Sequence, residues 1–402
     1  MPKGVGIEGF VAPGFERVAE AFQINFTKDE ELGAAFAAVR NGEPVVDIWG
    51  GLADARAQRP WSRDTLQLIF SGSKGLLATM MLILIERGVV DLDAPVSRYW
   101  PEFGKHDILV RNVVSHTAGL PGNDAPLSLA DLTDSVGMAA RLAAQLRSDD
   151  PRAAHCYHAL NFGWLCGEII RRVSGRSPGR FFAEEIAGPL SLDLWIGLPE
   201  TREARVSTLY LASNWGVAPF FDPTLWAHDP LVESIWGNPP LWGDPVRWSP
   251  ETFAWNNRAF HAFEIPGAAA IGTARSIAAF YGALAMGGAP LLSRETVEFG
   301  ARTVADALDQ VHGNRLRTGV GFQLQTELRP LGPPDDAFGH TGAGGSSHGA
   351  WPALQVGFSY AMNLMQDPTS GDQRALRLLD ALHESVKAEG RSRGRGAKGR
   401  AV

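Results

Sequence analysis

Hydrophobic and polar positions follow two periods along this chain. In residues 14–26, Phe15, Val18, Ala19, Ala21 and Phe22 recur around Glu16, Arg17 and Glu20 at the spacing of a helix. Apolar runs from Gly33 to Val39 and from Pro44 to Trp49 flank Asn41-Gly42, the dipeptide that most strongly signals a β-hairpin. After a polar stretch from Ala57 to Asp64, residues Gly75 to Ile85 are uncharged and almost wholly apolar, closed by Glu86-Arg87-Gly88, which predicts a buried helix. Residues 89–122 are loop-rich, broken by Pro95, Pro101 and Pro121. From about 128 to 200 the pattern is helical, and Leu165, Ile169, Ile170 and Val173 form an apolar face that Gly175 can end. Residues 203–260 are irregular and hold six of the twelve tryptophans. Thr273 is placed to cap a helix through Ile277, Phe280, Tyr281 and Leu284. Strand character returns from Gly319 to Leu324 and from Leu354 to Tyr360, and a last helix is predicted from about Asp372 to Ala388.

Strands near both ends with helices between them predict an α/β (α+β) fold. One antiparallel sheet would draw on N- and C-terminal segments and be flanked by helices, with residues 1–110 and 265–388 forming that lobe. Residues 111–264 would form a mostly helical second lobe that includes the Trp-rich segment 203–260. Residues 389–402 carry Arg391, Arg393, Arg395, Lys398 and Arg400 among Gly and Ser and read as a disordered basic tail. A site at the seam between lobes is the expectation.

Composition narrows the function. A net charge of −7 argues against nucleic acid or an anionic membrane as partner. No secretory pattern opens the chain and no stretch is apolar enough to span a bilayer, so a cytoplasmic protein is expected. Cys156 and Cys166 form no disulfide framework and read as free thiols without an electropositive setting. The ten histidines show no metal-ligand spacing, so neither metal nor cofactor is expected.

The chemistry concentrates at Ser71-Gly72-Ser73-Lys74, at the head of the apolar helix. Positions three apart share a helix face, so Ser71 and Lys74 point the same way. A lysine desolvated there has a lowered pKa and can draw a proton from the hydroxyl beside it. Ser73 reads as support for that turn. Three further segments matter beside it: Tyr157 in His155-Cys156-Tyr157-His158-Ala159-Leu160, His340-Thr341-Gly342-Ala343, and Ser115-His116-Thr117-Ala118-Gly119-Leu120-Pro121.

In this order the chain resembles, over roughly residues 15–385, the serine hydrolases of the class C β-lactamase and DD-peptidase fold, and most of all their class VIII esterases. The resemblance implies a β-lactamase/transpeptidase-like fold and a carboxylic-ester hydrolase working through an acyl-enzyme on small or short-to-medium chain esters. It makes Ser71 the nucleophile, Lys74 its adjacent amine and Tyr157 the phenol that shuttles the proton. Which of Lys74 and Tyr157 is the base stays open, because the two titrate as a coupled pair. The N–H groups of Ser71 and Ala343 would form the oxyanion hole, and His340, Thr341 and Gly342 would line the substrate site where relatives carry K-T-G, W-x-G or H-T-G. Ser115-His116-Thr117 would brace the lobes.

Two departures bear on substrate. Ala159 stands where β-lactamases of this fold have the asparagine of Y-x-N, Asn161 does not obviously replace it, and His340 replaces the K-T-G lysine. Both weaken the case for β-lactams or D-amino-acid peptides and favour simple esters. An acyltransferase on the same site stays open, and a non-catalytic sensor is disfavoured because serine, lysine and tyrosine are all kept. Trp226 and Trp242 are candidates to roof the substrate pocket, or to pack a loop-rich lobe. Gly345-Ser346-Ser347-His348-Gly349 matches the G-x-S-x-G elbow, but that elbow needs a strand before it and a helix after it, so Ser347 is not expected to attack. Oligomeric state is not legible in the sequence.

Overall fold

A computed structural model describes residues 6–215, 228–239, 248–367 and 372–398. The strands of the main sheet are β1 (Ile7–Val11), β2 (Gly33–Arg40), β3 (Glu43–Asp54), β4 (Ala305–Asp309), β5 (Asn314–Thr318), β6 (Gln323–Leu324), β7 (Phe338–Thr341), β8 (Ser347–Trp351) and β9 (Val356–Met362). They pair antiparallel in the order β1-β3-β2-β9-β8-β7-β6-β5-β4, and Arg59–Pro60 pairs with β3 off this path. The join between N- and C-terminal strands is β2 against β9, from Ala34 opposite Met362 to Arg40 opposite Val356. The expected hairpin is the β2–β3 turn, where Asn41 and Gly42 have φ of 52° and 81°, the left-handed pair that matches the twist of the strands.

The main helices are α1 (Glu16–Lys28), α2 (Ser73–Glu86), α3 (Ser135–Ala144), α4 (Asn161–Ser174), α5 (Ala274–Ala285) and α6 (Gln373–Lys398). Alternation along β2 sorts the two faces of the sheet. Ala34, Phe36 and Ala38 join α1 and α6 in a core with Phe22, Trp351, Phe358, Leu378 and Leu382. Ala37 on the other face meets Ala274, Ala278 and Ala361, a layer of methyl groups that lets α5 lie close against the strands. The larger core surrounds α2, of which residues 73–84 are all buried, and packs it between α4, α5 and the segment 89–120. Short helices at Val110–Val114, Pro178–Phe182, Pro230–Trp236 and Arg258–Ala262 join α3 and α4 between the sheet-forming segments.

Several expectations shift. Thr273 does cap α5, accepting from the Ser276 N–H, and Gly175 does end α4 at a φ of 70°. The strand expected at Gly319–Leu324 is regular only at Gln323–Leu324, and Leu354 lies in a 3-10 turn before β9. The last helix, expected to end near Ala388, is helical through Lys398, well into the stretch read as a disordered tail from 389. Glu389 pairs there with Arg40 of β2, so an ion pair and the helical hydrogen-bond ladder carry the chain past the apolar face that set the sequence boundary. Among the described residues no helix is long and apolar enough to cross a membrane.

Candidate active site

Ser71 lies in a single 3-10 turn, Phe70–Gly72, that runs directly into α2. The turn is held from both sides. Ile69 donates its N–H to Ala270 O at 3.0 Å, and the buried Ser73 hydroxyl donates to Phe70 O at 2.5 Å while accepting from the Ala270 N–H at 2.9 Å. Phe70 has a φ of 46°, a left-handed conformation that costs a non-glycine residue free energy and persists only where the surroundings fix it. Here its ring is buried edge-on against Trp255, with centroids 5.1 Å apart. Ser73 therefore supports the turn, as expected, and Ser71 is left partly accessible at its tip.

Lys74 is completely buried. Its Nζ lies 3.1 Å from Ser71 Oγ, 2.6 Å from Ala159 O and 2.9 Å from Gly267 O. The last contact depends on a close crossing. A Cβ on Gly163 of α4 would lie 2.2 Å from the Gly267 backbone nitrogen, so only glycine lets that loop approach. No carboxylate among the described residues pairs with the ammonium, and burial pushes its pKa from 10.5 down to about 7, against an opposing effect of the neighbouring Cys166 thiol. Both protonation states fit the geometry. The ammonium can donate to all three acceptors. The neutral amine can donate to the two carbonyls, which leaves its lone pair aimed at the Ser71 hydroxyl.

Tyr157 completes the group. Burial holds its phenol pKa well above the usual phenol value, against a smaller opposing influence of Ser71. Lys74 Nζ sits 4.8 Å from the centre of its ring. His116, at a φ of 62°, packs its ring against Tyr157 at 4.8 Å and stacks on Phe162 at 4.9 Å. It accepts the His158 N–H through Nδ1. Ser115 and Thr117 bond one another and the Arg111 and Asn112 groups before them, so this segment braces the tyrosine loop through polar contacts. Behind the tyrosine its backbone N–H donates to Asp309 Oδ2 at 2.8 Å.

His340 and Thr341 end β7. His340 stands 5.9 Å from Tyr157, ring to ring, with Nδ1 2.6 Å from Thr341 O. Burial and the nearby Lys74 hold its pKa down to about 3, so it carries no charge near neutral pH and cannot stand in for a lysine. Both the N–H and the hydroxyl of Thr341 donate to Gln323 Oε1. Neither the Ser71 nor the Ala343 N–H has an acceptor among the described residues, as an oxyanion hole requires. The loop carrying Ala343 is clamped by the buried Arg374, which donates to Gly344 O at 3.0 Å and pairs with Glu31 and Asp372. A cleft of about 860 Å³ opens beside Thr341 and Gly342, bordered by Gln323, His312 and the β4–β5 hairpin.

The remaining candidates separate cleanly. Ser347 sits inside β8, buried, donating to Pro330 O, with a strand on each side and no helix after it. Asn161 is consumed by the Leu120 and Gly122 carbonyls and by Asn123, so it does not replace the missing asparagine. Cys156 and Cys166 are free and buried. Trp226 and Trp242 lie outside the described residues. Sequence reasoning missed the Ala159 and Gly267 carbonyls, Gln323, Asp309, His312 and Arg374. A backbone carbonyl has no residue signature, and the others reach the site from remote segments. Cys156, Asp309 and His312 do bring potential ligand atoms within 4.8 Å of one another, without any sequence spacing to announce it.

A serine, a buried lysine and a tyrosine meeting at the end of an antiparallel sheet define a serine hydrolase on a β-lactamase/transpeptidase-like fold. The Beta-lactamase family profile matches residues 17–383, and the chain belongs to that family. It is 33% identical over 387 residues, 91% of this chain and 85% of the other, to the esterase/beta-lactamase LipL of Mycobacterium tuberculosis. The fold is similar to the crystal structure of a family VIII carboxylesterase, with a TM-score of 0.83 and 38% identity over 94% of this chain and all of that one. A penicillin-binding protein homologue from Caulobacter crescentus matches with a TM-score of 0.83 and 34% identity, over 94% of this chain and 100% of that one.

Proposed function

We propose that the protein is a cofactor-free carboxylesterase that turns over small or short-to-medium chain esters through an acyl-enzyme on Ser71. The observation that carries this is the coordination of Lys74, in which two backbone carbonyls take the N–H groups of a neutral amine and leave its lone pair for Ser71. In this reading Lys74 and Tyr157 together remove the hydroxyl proton as Ser71 attacks the ester carbonyl. The Ser71 and Ala343 N–H groups receive the negative charge on the carbonyl oxygen. Tyr157 then hands the proton to the departing alkoxide, and the same pair activates water to release the acid.

His340, Thr341 and Gly342 border the substrate, and the neutral His340 offers no anchor for a substrate carboxylate. That supports neutral esters over β-lactams. Trp226 and Trp242 are proposed to cover the acyl or alcohol pocket, and the two free thiols support a cytoplasmic setting. β-Lactam turnover is the second reading, favoured by the double name of the LipL relative.

The test is turnover of p-nitrophenyl acetate, butyrate and octanoate beside nitrocefin, by wild type and Ser71→Ala. Ester hydrolysis lost in the variant, with nitrocefin slow or untouched, is expected. Fast nitrocefin hydrolysis would move the protein to the β-lactamase reading.

A further inference from the structure

Against Tyr157 lies a buried polar cluster that the proposed reaction does not use. Asp309, 1% exposed at the end of β4, accepts four hydrogen bonds. Its Oδ2 takes the Tyr157 N–H at 2.8 Å and His312 Nδ1 at 2.7 Å, and its Oδ1 takes the N–H groups of Val311 and His312 at 2.9 and 3.1 Å. His312 turns back from the β4–β5 turn and sets its ring edge-on to the Tyr157 ring, at 88° and 6.0 Å between centroids.

The protonation state of His312 follows from its partners. The indole N–H of Trp236, which can only donate, points at His312 Nε2 from 3.1 Å. Nε2 is therefore the acceptor, and the ring is the neutral tautomer with its proton on Nδ1, donated to Asp309. Burial would raise the Asp309 carboxyl, but the bonds from His312 and Tyr157 outweigh it and hold the group below the usual carboxylate range. The same arithmetic argues against a metal among Cys156, Asp309 and His312. A cation on Nδ1 would place the ring proton on Nε2, facing the Trp236 N–H.

We propose that Asp309 and His312 are a positioning pair for Tyr157: Asp309 fixes the backbone that carries the phenol, and His312 locks Asp309 while its ring edge limits the swing of the phenol ring. This rests on the assignment of Tyr157 under the proposed function. A proton carrier must stay within hydrogen-bond reach of Ser71 throughout the reaction, and a displacement near 1 Å costs about 100-fold in rate. Trp236, on the helix Pro230–Trp236, extends the chain of contacts into the Trp-rich segment.

The test compares wild type, His312→Leu and His312→Asn with p-nitrophenyl butyrate, together with melting temperatures and the rate of Ser71 phosphonylation by a fluorophosphonate. Leucine removes the donor to Asp309, and asparagine restores an N–H near the Nδ1 position. His312→Leu is expected to lose roughly 10- to 100-fold in kcat with KM within about twofold, and His312→Asn to regain most of the loss. Equal damage in both variants, a change confined to KM, or losses that merely follow melting temperature would overturn the pairing. So would inhibition of wild type by added Zn²⁺ that disappears in Cys156→Ser, because the cluster would then be a metal site. Absence of wild-type ester turnover would instead sink the esterase reading itself, whatever the variants do.

Discussion

At the residue scale the decisive quantity is the proton on Lys74. A buried ammonium without a counter-charge loses hydration that its neutral form does not need, which is why its pKa falls to about 7. In the proposed mechanism Lys74 shares with Tyr157 in removing the Ser71 proton, and for that it must be neutral in the free enzyme. Ester kcat/KM is therefore expected to rise with pH through about 7 and then level off. A pH–rate profile measured with an uncharged ester checks this. A flat profile across neutrality would remove Lys74 from proton transfer, as would a Lys74→Met variant that kept wild-type rates. Ser71 and Lys74 were legible in the sequence because a helix converts a spacing of three into a shared face. The Ala159 and Gly267 carbonyls that accept from the lysine were not, since any residue supplies a carbonyl and only the fold decides which one arrives.

At the element scale α2 is positioned by how closely its neighbours approach. A Cβ on Gly75 would lie 2.0 Å from the Tyr281 hydroxyl of α5, a group that finds no hydrogen-bond partner among the described residues. Gly75→Ala is expected to destabilise the protein by about 1–3 kcal/mol through overpacking. Tyr281→Phe, which deletes an unpaired hydroxyl, should cost little and should relieve part of the damage in the double variant. Urea unfolding of the four proteins measures the coupling, and strict additivity would show that the two residues do not collide. Amphipathic or uniformly apolar elements such as α1, α2 and α5 were readable from their periodicity, as was the β2–β3 hairpin from Asn41-Gly42. Strands β7 and β8 were not, because Gly339, His340, Gly349 and the serines beside them carry little strand signal and become strands only by pairing between β6 and β9. The β4–β5 hairpin escaped for the opposite reason: it is a polar strand pair at the sheet edge, built from residues such as Asp306, Asn314 and Arg315.

At the scale of the whole molecule, N- and C-terminal segments close one sheet, and the site sits where the intervening helices meet it. The interior around that meeting point is rich in neutral histidine. Burial lowers His158 to about 4 and His340 and His348 to about 3, and holds His116 well below 6.5. Between those values and 6.5 the unfolded chain binds protons that the folded chain does not, so their stabilising contribution is full above 6.5 and is lost as pH falls below it. Each of these residues can contribute up to about 1.4 kcal/mol per pH unit in that window. The urea midpoint should therefore drop steeply between about pH 6.5 and pH 5. A constant midpoint over that range would mean that the histidines are not held neutral. The general fold was anticipated by the order of strands and helices along the chain. The continuation of α6 to Lys398 was not, because the residues past 388 lack the apolar periodicity that marks the body of that helix.

Ser71 is proposed to carry the acyl group during turnover, and that intermediate can be trapped. Wild-type enzyme mixed with excess p-nitrophenyl butyrate and quenched in acid during turnover can be digested and mapped by mass spectrometry. A butyryl group on Ser71 in the wild type, present within the first turnover and absent from Ser71→Ala, is the expected result. An acyl group on Ser347 or on a cysteine instead, with Ser71 unmodified, would contradict the account.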